Sequence, residues 1–285
     1  MGQTHVRPRK CRPRRDPRGF TPTSQGNPRV TGVLPVALED ATKVVQALLL
    51  SGKEYVCVMR LHQRMPNNRV EAILEEFQGE VFQRPPLRAS VKRRLRTRRI
   101  YYLDFLEMRE KNVLFKVGCQ SGTYIRKLCF DVGEVLGCGA HMQELRRTRA
   151  GPFTEDEGLV TLYDILKRED RWQEDGDEAG LRRLIFPMEK AFELLPKIFI
   201  RDSAVAAICH GANVTAPGVL SVETGINRGE GLVVFSQKNE AVAFTQALAS
   251  SEDILSMSHG FVAKTIRVLM DRDIYPKMWS RSGGT

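Results

Sequence analysis

The chain has 285 residues, 42% of them hydrophobic, with a formal net charge of +10 and a sequence pI of about 9.5. This length can bury one large core or two smaller ones, and the charge favours RNA or DNA as partner over a merely solvated basic surface. No apolar run reaches the roughly 18 residues of a membrane span, the basic N-terminus lacks the apolar core of a secretory signal, and none of the six cysteines forms a CxxC pair for zinc. Most cysteines lie in apolar runs, where a reduced thiol packs like a small hydrophobic side chain, so we expect a reducing, cytoplasmic environment and no membrane partner.

Predicted elements begin after a polar N-terminal segment. Residues 1–29 are rich in Arg and Pro and are predicted to be disordered. ALEDATKVVQALLL (37–50) predicts a helix with one apolar face, made of Ala41, Val44, Val45, Leu48 and Leu49. KEYVCVMRLH (53–62) predicts a strand, and NNRVEAILEEFQG (67–79) predicts a helix with an Asn as N-cap and Gly79 just beyond its end.

Further along the chain, strands and helices alternate. RIYYLDFLEMR and NVLFKVGCQ predict two strands joined by EKN, the second with one apolar face made of Val113, Phe115, Val117 and Cys119. YIRKLCFDVGEVLG predicts the end of a strand that continues into a helix, and the charged residues 167–183 predict a surface helix and loop. From Pro196, Gly and Pro separate short apolar runs, which is typical of a small β-barrel.

Six motifs then point to one family. In chain order they are RVTGVLPVALEDATKVVQAL, GKEYV, QRPPLRASVKRRLRTRRIYYL, SGTYIRKL, GAHMQELRRTRAGPF and HGANVTAPGV. Together they closely resemble the archaeal dyskerin-like pseudouridine synthases of the TruB family, over roughly residues 27–279. The resemblance implies an α+β fold: a TruB-type pseudouridine synthase domain with a mixed or antiparallel sheet, truncated at its start (30–190), and a small β-barrel PUA domain that binds RNA (196–279). It also implies isomerisation of a uridine within RNA, with no metal or organic cofactor.

The position of the family's catalytic carboxylate is unusual. The family motif is D-P-[KR]-V-[ST]-G, and its Asp acts on the nucleoside as a nucleophile or base. Here Asn27 stands in the first place, and the preceding PTSQG does not match the family's G-H-G-G-T-L. The protein is therefore a natural pseudoenzyme that retains RNA binding, or its first 29 residues come from a wrong start or a shifted frame, or Asp16 in a second DPR supplies the carboxylate. The mismatch of the flanking residues favours the second explanation.

The resemblance implies roles for four further residues. Tyr55 matches the tyrosine that stacks on the flipped base, although a half-buried strand tyrosine would look the same. Tyr124 matches the residue that closes the pocket, and Arg126 matches the partner of the catalytic Asp. Their spacing of two would point both to the same side of a sheet if they lay on a strand, and a buried Arg126 would lack its carboxylate. Leu145 matches an apolar residue packed against the base, and an ordinary core position is equally compatible.

Two segments are candidate RNA-binding elements. VKRRLRTRR (91–99) has six cationic side chains in nine residues, which suits neutralisation of phosphates; the predicted contacts are Lys92, Arg93, Arg94 and Arg96. A solvated charged face is the alternative, weakened by the mutual repulsion of so many like charges. HGANVTAPGV (210–219) resembles the opening of a PUA domain, so His210 and Gly211 are candidate contacts, although a structural His is the default interpretation.

The resemblance also implies substrates and partners. The substrates would be uridine 55 in the TΨC loop of tRNA, or rRNA sites selected by a box H/ACA guide RNA. In the guided mode the partners would be the small H/ACA ribonucleoprotein subunits: a zinc-ribbon or helical scaffold protein, a β-barrel protein and a kink-turn binder. The alternative from another class is a non-catalytic RNA-binding scaffold, which Asn27 supports. A DNA-binding function is disfavoured because no segment resembles a recognition helix or a zinc finger.

Overall fold

The computed structural model describes residues 30–85 and 94–277. Its first unit is a mixed sheet with helices, formed in chain order by β1 (Val30–Gly32), a 3₁₀ helix (Glu39–Val44), α1 (Val45–Leu50), β2 (Lys53–Leu61), α2 (Asn67–Glu76), β3 (Gly79–Gln83), β4 (Arg96–Arg109), β5 (Asn112–Cys119), α3 (Ile125–Leu136), β6 (Ala140–Ala150) and β7 (Phe153–Thr154). The strand order is β1-β6-β2-β5-β4-β3, with β7 paired to β6 outside this path. β1 is parallel to β6, whereas the other neighbouring strands are antiparallel. The predicted mixed sheet is confirmed.

The core of this unit lies on one face of the sheet, beneath α2 and α3. β5 alternates as predicted, and its four inward side chains from Val113 to Cys119 are at most 1% exposed. They pack with Cys57, Met59 and Leu61 of β2 and with the apolar sides of the two helices. This inner face is therefore apolar along the middle of β2 and β5.

A charged connection leads to the second unit. It contains α4 (Leu162–Asp175), α5 (Glu178–Arg182) and a 3₁₀ helix (Met188–Phe192). α4 has no buried residue and begins with a capping box between Thr161 and Asp164. The predicted surface helix is confirmed. None of the helices in the described ranges is long and apolar enough to cross a membrane.

The second unit is a six-stranded sheet with its own core. Its elements are β8 (Lys197–Ile200), α6 (Asp202–Cys209), β9 (Val214–Thr215), a 3₁₀ turn (Ala216–Gly218), β10 (Val219–Val222), β11 (Gly231–Phe235), β12 (Ala241–Ala247), α7 (Ser251–Ser256) and β13 (Phe261–Val268). The strand order is β10-β8-β11-β12-β13-β9. A third apolar cluster joins the two units: Val44 and Ala47 pack with Phe192, Val233 and Phe235.

Two predictions about local structure were wrong, and one helix was missed. Residues 39–44 form a 3₁₀ helix before α1, and this change of helical period buries Val44 and Ala47 while Val45 and Leu49 are 38% and 61% exposed. The N-cap of α2 is Pro66 rather than an Asn. α6 was not predicted, because a short apolar run such as AVAAIC does not distinguish a strand from a helix.

Candidate functional site

The inner face of the sheet carries an aromatic–cationic pair where β2 begins. Tyr55 of β2 pairs with Val117 of β5 and with Arg147 of β6, and its ring packs against the main core. Burial raises the pKa of the Tyr55 phenol, and a hydrogen bond with Arg147 opposes that rise. Tyr55 is therefore a neutral phenol held by a cation. A ring face and a polar tip at a half-buried position suit stacking on a base.

Arg147 is a residue that the motif comparison missed. Its backbone carbonyl accepts a hydrogen bond from Val33 N at 2.8 Å, and its Nε donates to the Val33 carbonyl at 2.6 Å. Gly32 makes this approach possible, since it has a φ of +102° and a Cβ there would lie 2.1 Å from the Arg147 carbonyl oxygen. The sequence contained a signal for this position. Leu145 and Arg147 are two residues apart, and residues two apart on a strand have side chains on the same face of the sheet.

Leu145 lies next to this pair. It packs against the main core and pairs with Cys57 of β2 on one side and with Val30 of β1 on the other. β1 is the last part of the motif that begins at position 27, so the structure brings that motif, Leu145 and Tyr55 to neighbouring strands. Asn27 itself lies outside the described residues, as do Asp16, Lys92 and Arg93.

Tyr124 reaches the same end of the sheet through a short loop after β5. Cys119 ends β5, burial raises the pKa of its thiol to about 11, and Thr123 forms a hydrogen bond with it. Tyr124 N donates to Gln83 Oε1 at 2.9 Å, and Gln83 Nε2 donates back to the Tyr124 carbonyl at 3.3 Å. Since Gln83 is only 2% exposed, this clamp fixes the loop to β3.

The predicted strand geometry for Tyr124 and Arg126 was wrong. Tyr124 is the N-cap of α3, and Arg126 lies in the first turn of that helix. A spacing of two on a helix turns side chains by about 200°, so the pair does not share a face by strand alternation. Arg126 is exposed rather than buried, and no ion pair joins it to another residue within 30–85 or 94–277.

Lys53 attaches the same loop to α1. Its Nζ donates to the Leu48 carbonyl at 2.9 Å, to the Ser51 carbonyl at 2.6 Å and to Ser121 Oγ at 3.3 Å. Burial lowers the pKa of this ammonium group, and the positive charge of Arg147 lowers it further. The cation therefore satisfies carbonyls at the end of α1 and ties that end to Ser121 of the loop.

The outer face of the sheet carries a second polar network, centred on Glu54. Its carboxylate accepts hydrogen bonds from Tyr102 OH and, at 2.6 Å, from Thr148 Oγ1, and it pairs with Lys116 at 3.1 Å. Glu54, Tyr102, Lys116 and Thr148 belong to four adjacent strands, so one carboxylate ties β2, β4, β5 and β6 together. Burial raises the pKa of Glu54, but the hydrogen bonds and Lys116 outweigh it and the pKa is lowered.

The candidate RNA contacts fall in two places. Arg94 is exposed, and Arg96 is partly buried in β4 opposite Gln83. His210 and Gly211 belong to the second unit, where His210 follows α6, is exposed and bonds through Nδ1 to the Ala206 carbonyl at 2.8 Å. Gly211 has a φ of +93°. The structure therefore places Arg96 near Tyr124, through Gln83, and assigns His210 and Gly211 to a separate unit.

A basic charge balance together with an aromatic–cationic pair in a mixed sheet is typical of a protein that binds nucleic acid. Comparison with protein families identifies which one. A model of the TruB family pseudouridylate synthase N-terminal domain matches residues 26–125, one of the tRNA pseudouridylate synthase B C-terminal domain matches 126–193, and one of the PUA domain matches 196–269. The chain belongs to the TruB family of pseudouridine synthases.

Individual relatives are similar over most of their length. A probable tRNA pseudouridine synthase B of Pyrococcus horikoshii is 55% identical over 253 residues, which are 89% of this chain and 76% of the relative. One of the same name from Methanopyrus kandleri is 53% identical over 253 residues, which are 89% of this chain and 75% of the relative. Among solved structures, a Cbf5-Nop10-Gar1 complex matches with a TM-score of 0.84 and 52% identity over 88% of this chain and 77% of that one. An H/ACA RNP bound to a substrate RNA containing 2'-deoxyuridine matches with a TM-score of 0.81 and 49% identity, over 89% and 77%.

Proposed function

We propose that this chain acts on a uridine of the TΨC loop of tRNA, or on rRNA uridines selected by a guide RNA. The observation that carries the proposal is that Tyr55 and Leu145 pack against one core from the neighbouring strands β2 and β6; we take them, with Tyr124 at the start of α3, as the wall of the pocket. The target base leaves its stack and packs against the Tyr55 ring. Leu145 offers an apolar contact, and Tyr124 borders the pocket from the start of α3.

The reaction is an isomerisation whose atoms balance within one nucleoside. The bond from the ribose C1' to N1 of uracil breaks, and a bond from C1' to C5 forms. N1 gains a proton and C5 loses one, so a tritium label at C5 appears in water. Neutral Tyr55 and the cation of Arg147 orient the base, while a carboxylate at position 27 would supply the nucleophile or base.

Asn27 carries the second candidate function. The described chain starts at Val30, three residues beyond Asn27, and Val30 pairs with Leu145. A neutral amide at that position provides neither a nucleophile nor a base, so the chain as given would be an RNA-binding scaffold. The basic run 91–99 and the second unit would still bind RNA.

Assembly partners follow from the same proposal. Two of the solved relatives are described as a Cbf5-Nop10-Gar1 complex and as an H/ACA RNP with substrate RNA. Their similarity over 88% and 89% of this chain supports a guide RNA of the box H/ACA type and small H/ACA proteins as its partners. A cytoplasmic location accords with tRNA and rRNA substrates.

Tritium release from tRNA labelled at C5 of uridine tests the function. We expect the chain as given to release no more label than its Tyr55→Ala variant, and Asn27→Asp to raise the release far above that background. Asn68→Asp, a matched change at an exposed residue of α2, serves as control. Release by the chain as given well above the Tyr55→Ala level would show that position 27 needs no carboxylate. RNA binding without release in either protein would support the scaffold function.

A further inference from the structure

Two arginines of the cationic run 91–99, Arg96 and Arg98, are partly buried, whereas Arg94 and Arg99 are exposed. Arg98 lies on the inner face of the sheet. It pairs with Val81 of β3, and Ile100, two residues further along, is 1% exposed in the core. β4 extends past the end of β5 here, so Arg98 projects beside the loop of residues 120–124 rather than over a neighbouring strand.

The guanidinium of Arg98 lies against the backbone of that loop. A Cβ on Gly122 would be 3.2 Å from Arg98 Nε, 3.3 Å from Nη2 and 3.7 Å from Cζ. The guanidinium therefore occupies the space that a side chain at position 122 would need. Gly122 has a φ of +79° and stands two residues before Tyr124, so Arg98 lies next to the pocket wall described above.

The hydrogen-bonding capacity of Arg98 is largely unused within the described ranges. Nη1 donates to the Thr97 carbonyl at 2.8 Å, while Nε is buried and has no partner there. No carboxylate within 30–85 or 94–277 forms an ion pair with Arg98. A guanidinium has five N–H donors in a rigid fork, and a buried donor without a partner is costly.

These observations point to an anion. The fork geometry of a guanidinium matches two oxygens of a carboxylate or phosphate, and the pocket belongs to a family that modifies RNA. We propose that Arg98 binds the phosphodiester group flanking the target uridine and thereby positions the flipped nucleotide against Tyr55 and Tyr124. This proposal rests on the proposed function, but its test uses binding and needs no turnover.

Arg98 acts here as a specific contact rather than as one charge among many. An exposed arginine such as Arg99 adds to the general attraction of RNA, which salt weakens evenly along the strand. A guanidinium held beside Gly122 instead contacts a single phosphodiester linkage of the RNA. Removing the charge of that linkage should therefore matter only while Arg98 is present.

A charge-deletion cycle tests this assignment. The probe is a tRNA TΨC stem-loop carrying a single neutral methylphosphonate on the 5' or the 3' side of the target uridine, or three linkages away. Affinities by fluorescence anisotropy are compared for the chain as given, Arg98→Gln and the adjacent Arg99→Gln. We expect a flanking methylphosphonate to weaken binding about tenfold in the chain as given and in Arg99→Gln, and less than twofold in Arg98→Gln.

The remaining outcomes are also decisive. An equal loss in Arg98→Gln and in the chain as given would overturn the proposal, as would a loss confined to the distant linkage. If Arg98→Gln does not fold, Arg98→Lys retains the charge without the forked donors of a guanidinium. We then expect the effect of a flanking methylphosphonate to fall to about threefold, and an unchanged tenfold effect would contradict two-point binding by the guanidinium.

Inorganic phosphate distinguishes the sources of the anion. Competition at millimolar concentration without any linkage effect would indicate a free-phosphate site and refute the RNA contact. If the proposed pseudouridylation fails because of Asn27, the linkage effect should persist.

Discussion

Replacement of Glu54 by Gln tests whether one carboxylate holds the four central strands together. The side chain of Glu54 is 13% exposed, so its hydrogen bonds with Tyr102 and Thr148 are shielded from water. Hydrogen bonds to a charged group contribute about 1.5–3 kcal/mol each, while the partner Lys116 is 39% exposed and adds at most about 1 kcal/mol. Gln keeps the shape and one acceptor oxygen, so we expect a loss of about 2–3 kcal/mol at pH 7.

The same substitution has a defined pH dependence. The pKa of Glu54 is lowered in the folded protein, so its carboxylate stabilises the fold above the unfolded-state pKa, which is about 4.3. That stabilisation is lost as the pH falls through the folded-state pKa. The difference in stability between the chain as given and Glu54→Gln should therefore be full at pH 7 and should shrink below about pH 4.

Urea unfolding followed by circular dichroism, at pH 7 and at successively lower pH, measures both effects. Glu80→Gln, on the exposed side of β3, is the matched control and should change stability by less than about 0.5 kcal/mol. A loss at pH 7 below about 0.5 kcal/mol would show that the network is too solvated to matter. A loss that does not change with pH would show that packing, rather than the charge of Glu54, is responsible.

Two further predictions concern residues around the pocket. Gly32→Ala should accelerate hydrogen exchange at Val33 N and lower the unfolding temperature more than Gly79→Ala does. Both glycines have a φ above +100°, but only a Cβ at position 32 meets a backbone atom within 4 Å. Equal effects would mean that backbone strain alone, about 1–3 kcal/mol, accounts for the loss of stability. Burial raises the pKa of the Cys119 thiol to about 11, so about one part in a thousand should be thiolate at pH 8. Iodoacetamide should therefore modify Cys119 at least about 100-fold more slowly in the native protein than in the urea-unfolded protein. Similar rates, measured by peptide mass spectrometry, would show that the thiol is accessible.

The sequence by itself determined the class of protein and much of its frame. β5 followed from the alternation of Val113, Phe115, Val117 and Cys119, because a sheet with one buried face imposes a period of two on its strands. The ordered motifs gave the family, since each depends on residue types and local spacing. The roles of Tyr55, Tyr124, Arg126 and Leu145 stay predictions, as does the role of Asn27, which lies outside the described residues.

Only the tertiary structure decided which side chains meet. A spacing of two fits a strand or the start of a helix, and the start of α3 at Ile125 separates Tyr124 from Arg126. Glu54 meets Thr148 across 94 positions of the chain, and Arg147 meets Val33 across 114. Arg98 differs from Arg99 only because β4 alternates and extends past β5 to the loop at Gly122. Local patterns fix periodicity, but contacts between distant segments depend on strand order and register, and those are set by the packing of the whole sheet.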